Sequence, residues 1–367
     1  MTNQGSSTLS PSSVAELAEA VRSAPRVIAV GVGTKPRLAQ VAPEFVRIST
    51  ARLSGIIDYE PSEFTFTALA GTPLREIANT LAARGQYLPF DPPLAEAGAT
   101  LGGTVAAGLS GAGRFRFGGL RDFILGVRFV DGEGRLLRMG GKVVKNAAGF
   151  DLPKFFVGSL GRFGVLAEIT FKVFPRATTL RTVRLPAGDA KAITEMLTGA
   201  AATRWELDAL EASPDDGAVF ARLAGPPAAL DALAGEIMAR WPGGAGLSEA
   251  EAEKIWRGAS EFSWAHTGGV LLKVIVTPSR VIELAGILRE IAGARSWLGA
   301  GGNVAWVSLP SAKATKIFGE KCRALRWPAL TLRGEAPLWP GGRTNSAVAS
   351  AVKLALDPLN RFPSLDE

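Results

Sequence analysis

Glycine, lysine, aspartate and arginine crowd one stretch of this 367-residue chain. Lys145-Asn146-Ala147-Ala148-Gly149-Phe150-Asp151-Leu152 is followed by Val157-Gly158-Ser159-Leu160-Gly161-Arg162-Phe163-Gly164-Val165, then by a mostly apolar run to Val173. Glycine at this density lets main chain come close to a partner that a Cβ would strike. Three more clusters lie upstream: Gly31-Val32-Gly33-Thr34-Lys35, the segment Thr100 to Gly111, and Gly118-Gly119-Leu120-Arg121-Asp122. One cluster alone says only that a loop meets a ligand. Four together predict a large nucleotide-like cofactor, with a flavin the best match.

Each cluster has a plainer alternative. Gly31 to Lys35 follows a strand-like run, and such a turn can aim several N–H groups at phosphate oxygens. An ordinary strand-to-loop turn has the same composition. The dinucleotide fingerprint with three spaced glycines fails, because Pro36 and Arg37 stand where the third glycine and a helix are needed. Gly140-Gly141-Lys142 also fails as a phosphate loop, lacking the upstream glycine and the following Ser or Thr. Thr100 to Gly111 is small at nearly every position. As core packing that would leave cavities, so it suits a flat ring or a diphosphate lying on bare backbone.

Composition narrows the class. Hydrophobic residues make up 47% and charged residues 20%, which suits a globular chain with a real core. The length suggests two domains. Cys322 is the one cysteine, so an internal disulfide, a multi-cysteine cluster and a metal site are not expected, and a reducing compartment is. No apolar run approaches the roughly 20 residues of a membrane span, and the first residues lack the pattern of a signal peptide. The formal charge is +7, and residues 101–176 alone carry 12 Lys/Arg against 5 Asp/Glu, the same surplus. That suits an anionic cofactor or an acidic partner. The basic residues sit among glycines and aliphatics, so nucleic acid is not expected.

Elements to position the clusters can be read from periodicity. Residues 1–12 read as disordered. Ser13 to Glu16 reads as a capping box opening a helix to about Ala24. Strands are expected over Arg26–Val30, Phe45–Ile48, Gly55–Tyr59 and Phe64–Leu69, and a helix over Leu74–Arg84. Ile124–Val130 and Leu136–Met139 make a hairpin, and Leu166–Val173 a strand ended by Pro175. Beyond residue 176 the order is α+β. Strands are expected at Thr182–Leu185, Ala218–Leu223, Val270–Val276 and Val304–Leu309. Helices are expected at Asp189–Ala201, Ala228–Arg240, Glu249–Trp256 and Arg280–Ala292, with a last helix over Asn345–Leu356.

Gly102-Gly103-Thr104-Val105-Ala106, Arg121 to Gly126, Lys145 to Asp151 and Gly158 to Val165 resemble the PCMH-type, or vanillyl-alcohol-oxidase-type, FAD flavoproteins. Within that group the chain is similar to the smaller flavin subunits of bacterial glycolate oxidases. Tyr59-Glu60-Pro61, Ala70 to Leu74 and Leu88 to Pro93 fit the same pattern, so the resemblance spans roughly residues 26–176. The C-terminal half is a weaker match.

The resemblance implies an α+β fold. A two-subdomain PCMH-type FAD-binding domain over 13–176 would be followed by an α+β cap domain over 177–344 and a C-terminal helix and tail over 345–367. It implies that Gly31, Val32, Gly33, Thr34 and Lys35, with Leu101, Gly102, Gly103 and Thr104, hold the diphosphate through backbone donors. Gly108, Ser110, Gly111, Gly118 and Asp122 would line the cofactor channel. Gly161, Gly164 and Val165 would meet the adenosine part, and Lys145 and Asp151 would pair to shape their loop. Val32 stands where relatives often have glycine, and Phe150 where they have tyrosine. Some relatives attach flavin through histidine. The single histidine, His266, lies outside the FAD half, so FAD is expected to be non-covalent.

The implied activity is that of an FAD-dependent oxidoreductase, one subunit of a glycolate-oxidising complex. Its partners would be a larger flavin-containing glycolate oxidase subunit and an iron–sulfur subunit, with a small 2-hydroxy acid as the substrate of the complex. Its location would be cytoplasmic, or peripheral to the inner membrane through those partners. Oxidising a 2-hydroxy acid needs a base, a cation for the carboxylate and a flavin. No catalytic residue is identifiable. Arg295, Lys273, Arg326 and Arg333 are undifferentiated candidates for the carboxylate clamp. A stand-alone flavin oxidoreductase and a non-catalytic assembly subunit with a decayed flavin site remain as alternatives.

Overall fold

The computed structural model describes residues 8–141, 152–342 and 347–366. Lys145, Phe150 and Asp151 lie outside the described residues. The chain divides into two compact α+β units. One takes residues 1–109, 119–176 and 345–367, and the other takes 110–118 and 177–344.

The first unit contains three sheets. β1 (Thr8–Leu9), β2 (Val27–Val30) and β3 (Val46–Ser49) run parallel in the order β1-β3-β2. Helix α1 (Val14–Arg22) joins β1 to β2. The Ser13 hydroxyl accepts from the Glu16 N–H at 3.2 Å. The Glu16 carboxylate reaches one residue further back than a capping box would, accepting from the Ser12 N–H at 2.8 Å. Leu17 and Val21 then face Val27 and Ile48 in a shared core. The expectation of disorder through residue 12 is corrected from Thr8 onward. Thr8 and Leu9 pair with Arg47 and Ile48, and Leu9 packs on that core.

β4 (Ile56–Glu60) and β5 (Thr65–Leu69) form a hairpin, followed by α2 (Leu74–Ala82), the short β6 (Gln86–Tyr87) and α3 (Leu101–Ala107). β7 (Ile124–Val130), β8 (Leu136–Gly140) and β9 (Val165–Lys172) complete a five-stranded antiparallel sheet in the order β4-β5-β9-β7-β8. β10 (Phe174–Pro175) pairs with β6. Phe66, Phe90, Phe123 and Phe171 are fully buried and meet ring to ring at 5.7–6.1 Å, filling one face of this sheet.

The second unit opens with α4 (Arg114–Phe117). It continues through β11 (Leu180–Pro186), α5 (Ala190–Ala201), β12 (Ala209–Ser213), β13 (Ala218–Ala224), α6 (Pro227–Arg240) and β14 (Ala245–Gly246). After α7 (Glu249–Glu261) come β15 (Val270–Ile275), α8 (Val281–Arg289), β16 (Arg295–Gly299), β17 (Val304–Leu309), α9 (Ala312–Ala324) and β18 (Ala329–Arg333). Both halves read βαββαβ. They fuse into one eight-stranded antiparallel sheet, β14-β11-β13-β12-β16-β17-β15-β18, with β12 and β16 at the seam. Leu210, Val219, Leu272, Val274 and Val307 point from the sheet into a core with residues of α5, α6, α8 and α9.

Helix α10 (Ala347–Leu356) returns the chain to the first unit. There the buried Asp357 carboxylate accepts from the Lys353 ammonium and, at 2.8 and 3.0 Å, from the Arg361 and Phe362 N–H groups. The Arg361 carbonyl in turn accepts from Val27 N–H at 2.8 Å, beside β2. The first unit is therefore built from both ends of the chain. Its boundary differs from the expected one at two places: residues 110–118 leave it and the C-terminal segment joins it.

Candidate functional site: an electropositive cavity beside the first parallel sheet

Three segments of the first unit converge on a cavity of about 470 Å³. The first is the loop leaving β2, Gly31 to Lys35, which runs on into a short turn of helix, Pro36–Ala39. The second is the start of α3. The third is the loop before β9, where Leu160, Gly161 and Gly164 all have positive φ. Arg47, Ser49 and Thr50, from β3 and its exit, close one side.

Close approach explains the glycines that matter most. A Cβ on Gly31 would sit 2.7 Å from Thr100 Oγ1, so only glycine lets the β2 loop pass the cap of α3. A Cβ on Gly102 would stand 2.8 Å from the Ala70 Cβ and 2.9 Å from its carbonyl oxygen. The small residues of 100–107, expected where a ring or a diphosphate lies on bare backbone, form a helix in which Leu101, Gly102, Thr104, Val105 and Ala107 are buried, while Thr100, Gly102, Gly103, Ala106 and Ala107 line the cavity. Smallness at Gly102 also serves helix-on-strand packing against the end of β5.

Hydrogen bonding separates the two loops expected to hold a diphosphate. The N–H groups at the start of α3 are already committed. Leu101 donates to the Thr72 carbonyl at 2.9 Å, Gly102 to that of Ala70 at 2.7 Å and Thr104 to that of Thr100 at 2.9 Å. Gly103 donates to Thr100 Oγ1 at 3.3 Å. Protein oxygens therefore hold the four N–H groups that the resemblance implies would serve an anion. The β2 loop is the opposite case. Among the described residues, none of the N–H groups of Gly31, Val32, Gly33, Thr34 and Lys35 has a protein acceptor. Five consecutive open donors beside a cavity make an anion cradle of the nest kind. Gly33 bends it with a φ of 81°. Val32 is 52% exposed, so its side chain stands at the rim.

The charge agrees. Among the described residues, Lys35 and Arg47 are the only charged ones lining the cavity, and no carboxylate lines it. Lys35 is 8% exposed, and its ammonium donates to Thr34 Oγ1 at 2.9 Å. Burial pushes it down to about 8. Arg47 donates to the Ala39 carbonyl at 3.3 Å. Beneath them the buried Arg162 donates to the Leu38 carbonyl at 3.1 Å and to that of Leu160. The loop carrying it docks on α3, with Gly158 and Leu160 N–H groups donating to Val105 and Ala106 carbonyls at 3.0 and 2.9 Å.

Of the residues singled out in the sequence, Gly31, Val32, Gly33, Thr34, Lys35, Gly102, Gly103, Gly161, Gly164 and Val165 line this cavity. Leu101, Thr104, Gly108, Ser110, Gly111, Gly118 and Asp122 do not. Leu101 is buried beneath α3, and Thr104 Oγ1 is buried with no hydrogen-bond partner among the described residues. Gly108 caps α3 at φ 62°, where a Cβ would stand 3.0 Å from the Gly158 Cα. Asp122 accepts from the Gly119 N–H at 2.8 Å and shapes its own turn. Ser110, Gly111 and Gly118 belong to the second unit. Arg47, Thr8 and Ala70 line the cavity without having been singled out. The alternation along β3 is the one signal that bears on Arg47.

The four clamp candidates, all in the second unit, are no longer equivalent. Arg295 and Arg326 are exposed. Arg333 donates to the His266 carbonyl at 3.0 Å, and burial lowers its pKa. Burial, with the charge of Arg114 added, pushes Lys273 down to about 8. His266 Nε2 donates to the Gly293 carbonyl at 2.6 Å.

Comparison with known proteins follows this geometry. Residues 6–140 match the family described as FAD binding domain. The chain is 42% identical over 192 residues to the glycolate oxidase subunit GlcE of Escherichia coli, covering 50% of this chain and 53% of that protein. It is 30% identical over 186 residues to a D-2-hydroxyglutarate dehydrogenase of Xanthomonas citri, covering 49% and 39%. It is 29% identical over 131 residues to the glycolate oxidase subunit GlcD of Bacillus subtilis, covering 36% and 28%. The chain thus spans about half or less of the length of these relatives. Among solved structures, an alkyldihydroxyacetonephosphate synthase superposes on 96% of this chain and 74% of its own with a TM-score of 0.68, at 16% identity, which is a likeness of fold.

Proposed function

Because residues 6–140 are a PCMH-type FAD binding domain, we propose that this chain is the FAD-holding subunit of a 2-hydroxy-acid-oxidising complex of the glycolate oxidase kind. One observation carries the reading: five residues whose main-chain N–H groups have no protein acceptor, and two cations, line one cavity that has no carboxylate among the described residues. That donor set suits a dianionic diphosphate and leaves a decayed flavin site without support. The 42% identity to a protein named as a glycolate oxidase subunit supports the choice of complex.

When bound, the flavin supplies a hydride acceptor. The residues of this chain do the holding. Gly31 to Lys35 would donate main-chain N–H groups to the diphosphate, and Arg47 would offset part of its charge. The start of α3 and the loop from Gly158 to Gly164 keep those donors in place and wall off water. Among the described residues the cavity lining has no histidine, cysteine or tyrosine to form a covalent link, which supports non-covalent FAD, and no aspartate or glutamate. Lys273 and Arg333 are the two shielded cations suited to a substrate carboxylate. The remaining chemistry falls to a larger flavin subunit and an iron–sulfur subunit, with glycolate or a close 2-hydroxy acid as substrate. Among the described residues no helix is long and apolar enough to cross a membrane. A cytoplasmic place, peripheral to the membrane through its partners, is the proposed location.

The test is expression of the full chain alone and together with those two subunits from its host. The chain alone should show flavin absorbance, give up intact FAD on acid denaturation and fail to oxidise glycolate. The assembled complex should oxidise it. A folded but colourless chain overturns the cofactor assignment. Glycolate oxidation by the chain alone replaces the subunit reading with that of a stand-alone enzyme.

A further inference from the structure

Lys35 is the least expected residue in the cavity. A lysine more than nine-tenths buried normally has a carboxylate beside it, because an uncompensated buried ammonium is costly. Here the one polar partner among the described residues is the neutral Thr34 hydroxyl. Among the described residues, the neighbouring segments carry Arg37 on the short helical turn after it, Arg47 on β3 and Arg162 on the loop before β9, and of these Arg47 lines the same cavity. α3 contributes no titratable group. A nine-tenths-buried ammonium with one neutral side-chain partner among the described residues, at the end of a run of N–H groups without protein acceptors, suits an anionic ligand.

We infer that the Lys35 ammonium is the counter-charge of the cofactor diphosphate, and that diphosphate binding draws a proton onto this side chain from solvent. The inference rests on the FAD reading above and assigns the lysine side chain a role beyond that of its backbone. In the empty cavity the amine is poised to lose its proton in mildly alkaline solution, since burial holds it at about 8. A dianion within reach of the ammonium favours the charged form and restores the proton. No covalent bond changes. One proton moves from buffer to Nζ, and the positive charge gained offsets part of the charge on the phosphates.

The experiment is isothermal titration calorimetry of the cofactor-free full-length chain at pH 8.5, in buffers of different ionisation enthalpy. FAD, ADP and adenosine are the titrants. With the empty amine at about 8, FAD and ADP should each take up about 0.7 proton per site. Adenosine, which lacks phosphate, should take up none. Lys35→Met should abolish the uptake and weaken FAD binding about ten- to a hundredfold at pH 7, the loss of one charge-assisted contact. Lys35→Arg should bind FAD without uptake, because guanidinium stays charged throughout. FAD binding with no proton exchange in the unmodified chain overturns the inference and leaves the FAD reading standing. Uptake that persists in Lys35→Met also overturns it. A chain that binds neither FAD nor ADP overturns both. Where a variant fails to fold, the proton count of the unmodified chain decides alone.

Discussion

Replacing Lys35 by methionine should stabilise the cofactor-free protein, and the gain should fade with rising pH. Folding moves this lysine from an ordinary 10.5 down to about 8. At about 1.4 kcal/mol per unit, that is about 3 kcal/mol lost on folding wherever both states are protonated. The folded value lies below the unfolded one, so the unfolded chain binds more protons between pH 8 and 10.5. Stability of the unmodified protein therefore rises through that window, with the full penalty present below it. Methionine has a similar length and no charge. It should gain about 3 kcal/mol at pH 7 and about 1.4 kcal/mol at pH 9.5, less a small loss for the Thr34 contact. These are upper values, since a compact unfolded chain narrows the difference.

The two units carry different fluorophores, which makes the assay specific. All eight tryptophans, Trp205 to Trp339, lie in the second unit, and both tyrosines, Tyr59 and Tyr87, lie in the first. Urea unfolding followed by tyrosine emission should report the gain, while the tryptophan transition should not move. Equal stability of the two proteins at pH 7, or a gain of the same size at both pH values, refutes the reasoning. The same substitution should weaken FAD binding, so stability and ligand affinity should change in opposite directions.

Three further outcomes are expected. Gly102→Val should cost about 1–3 kcal/mol through overlap with Ala70 and lower FAD retention, and adding Ala70→Gly should restore part of both, by melting temperature and flavin absorbance. Asp357→Ala should cost about 3–5 kcal/mol, because it removes the carboxylate to which the Lys353 ammonium and two N–H groups donate; limited proteolysis should then remove the C-terminal segment first, and an unchanged digestion pattern counts against the anchoring role. Cys322 is buried and its thiol is pushed up to about 12, so a thiol reagent at pH 8 should leave it untouched until urea unfolds the second unit, whereas rapid stoichiometric labelling of the native protein contradicts this.

Much of this architecture was legible in local pattern. The helix after Ser13 shows in its cap and apolar spacing, and the hairpin of Ile124–Val130 with Leu136–Gly140 and the strand starting at Val165 show as apolar runs bounded by turn residues. The elements without a sequence signal have physical reasons for it. All five residues of Ala209–Ser213 are buried, Glu211 included, so the polar alternation that marks a strand is missing. Arg295–Gly299 and Ala329–Arg333 are nearly as enclosed. Thr8–Leu9 is two residues long, and its pairing partner lies about forty residues away. α3 was obscured by its own glycines, which argue against helix in isolation, although the approach of Ala70 requires one at position 102. At the site, composition marks both the β2 loop and the start of α3 as backbone-rich. Only the hydrogen-bond partners reveal that one is open and the other committed.

That difference explains how an anion cradle survives in a folded protein without its anion. Open donors are tolerated only where solvent or a ligand reaches them, and a loop carrying five of them tends to collapse onto nearby carbonyls. Here collapse is blocked because the neighbouring main chain is already occupied. The N–H groups of α3 hold Thr72, Ala70 and Thr100, and the loop before β9 holds the carbonyls of Val105 and Ala106. Arg162 takes up the Leu38 and Leu160 carbonyls below. With those acceptors claimed, the amides of Gly31 to Lys35, residues that line the cavity, have no protein acceptor among the described residues. The absence of a carboxylate from the lining keeps Lys35 from being neutralised in advance. The cost of holding charge and donors unpaired is returned when a diphosphate enters, so the features that weaken the empty unit are the ones that bind its ligand.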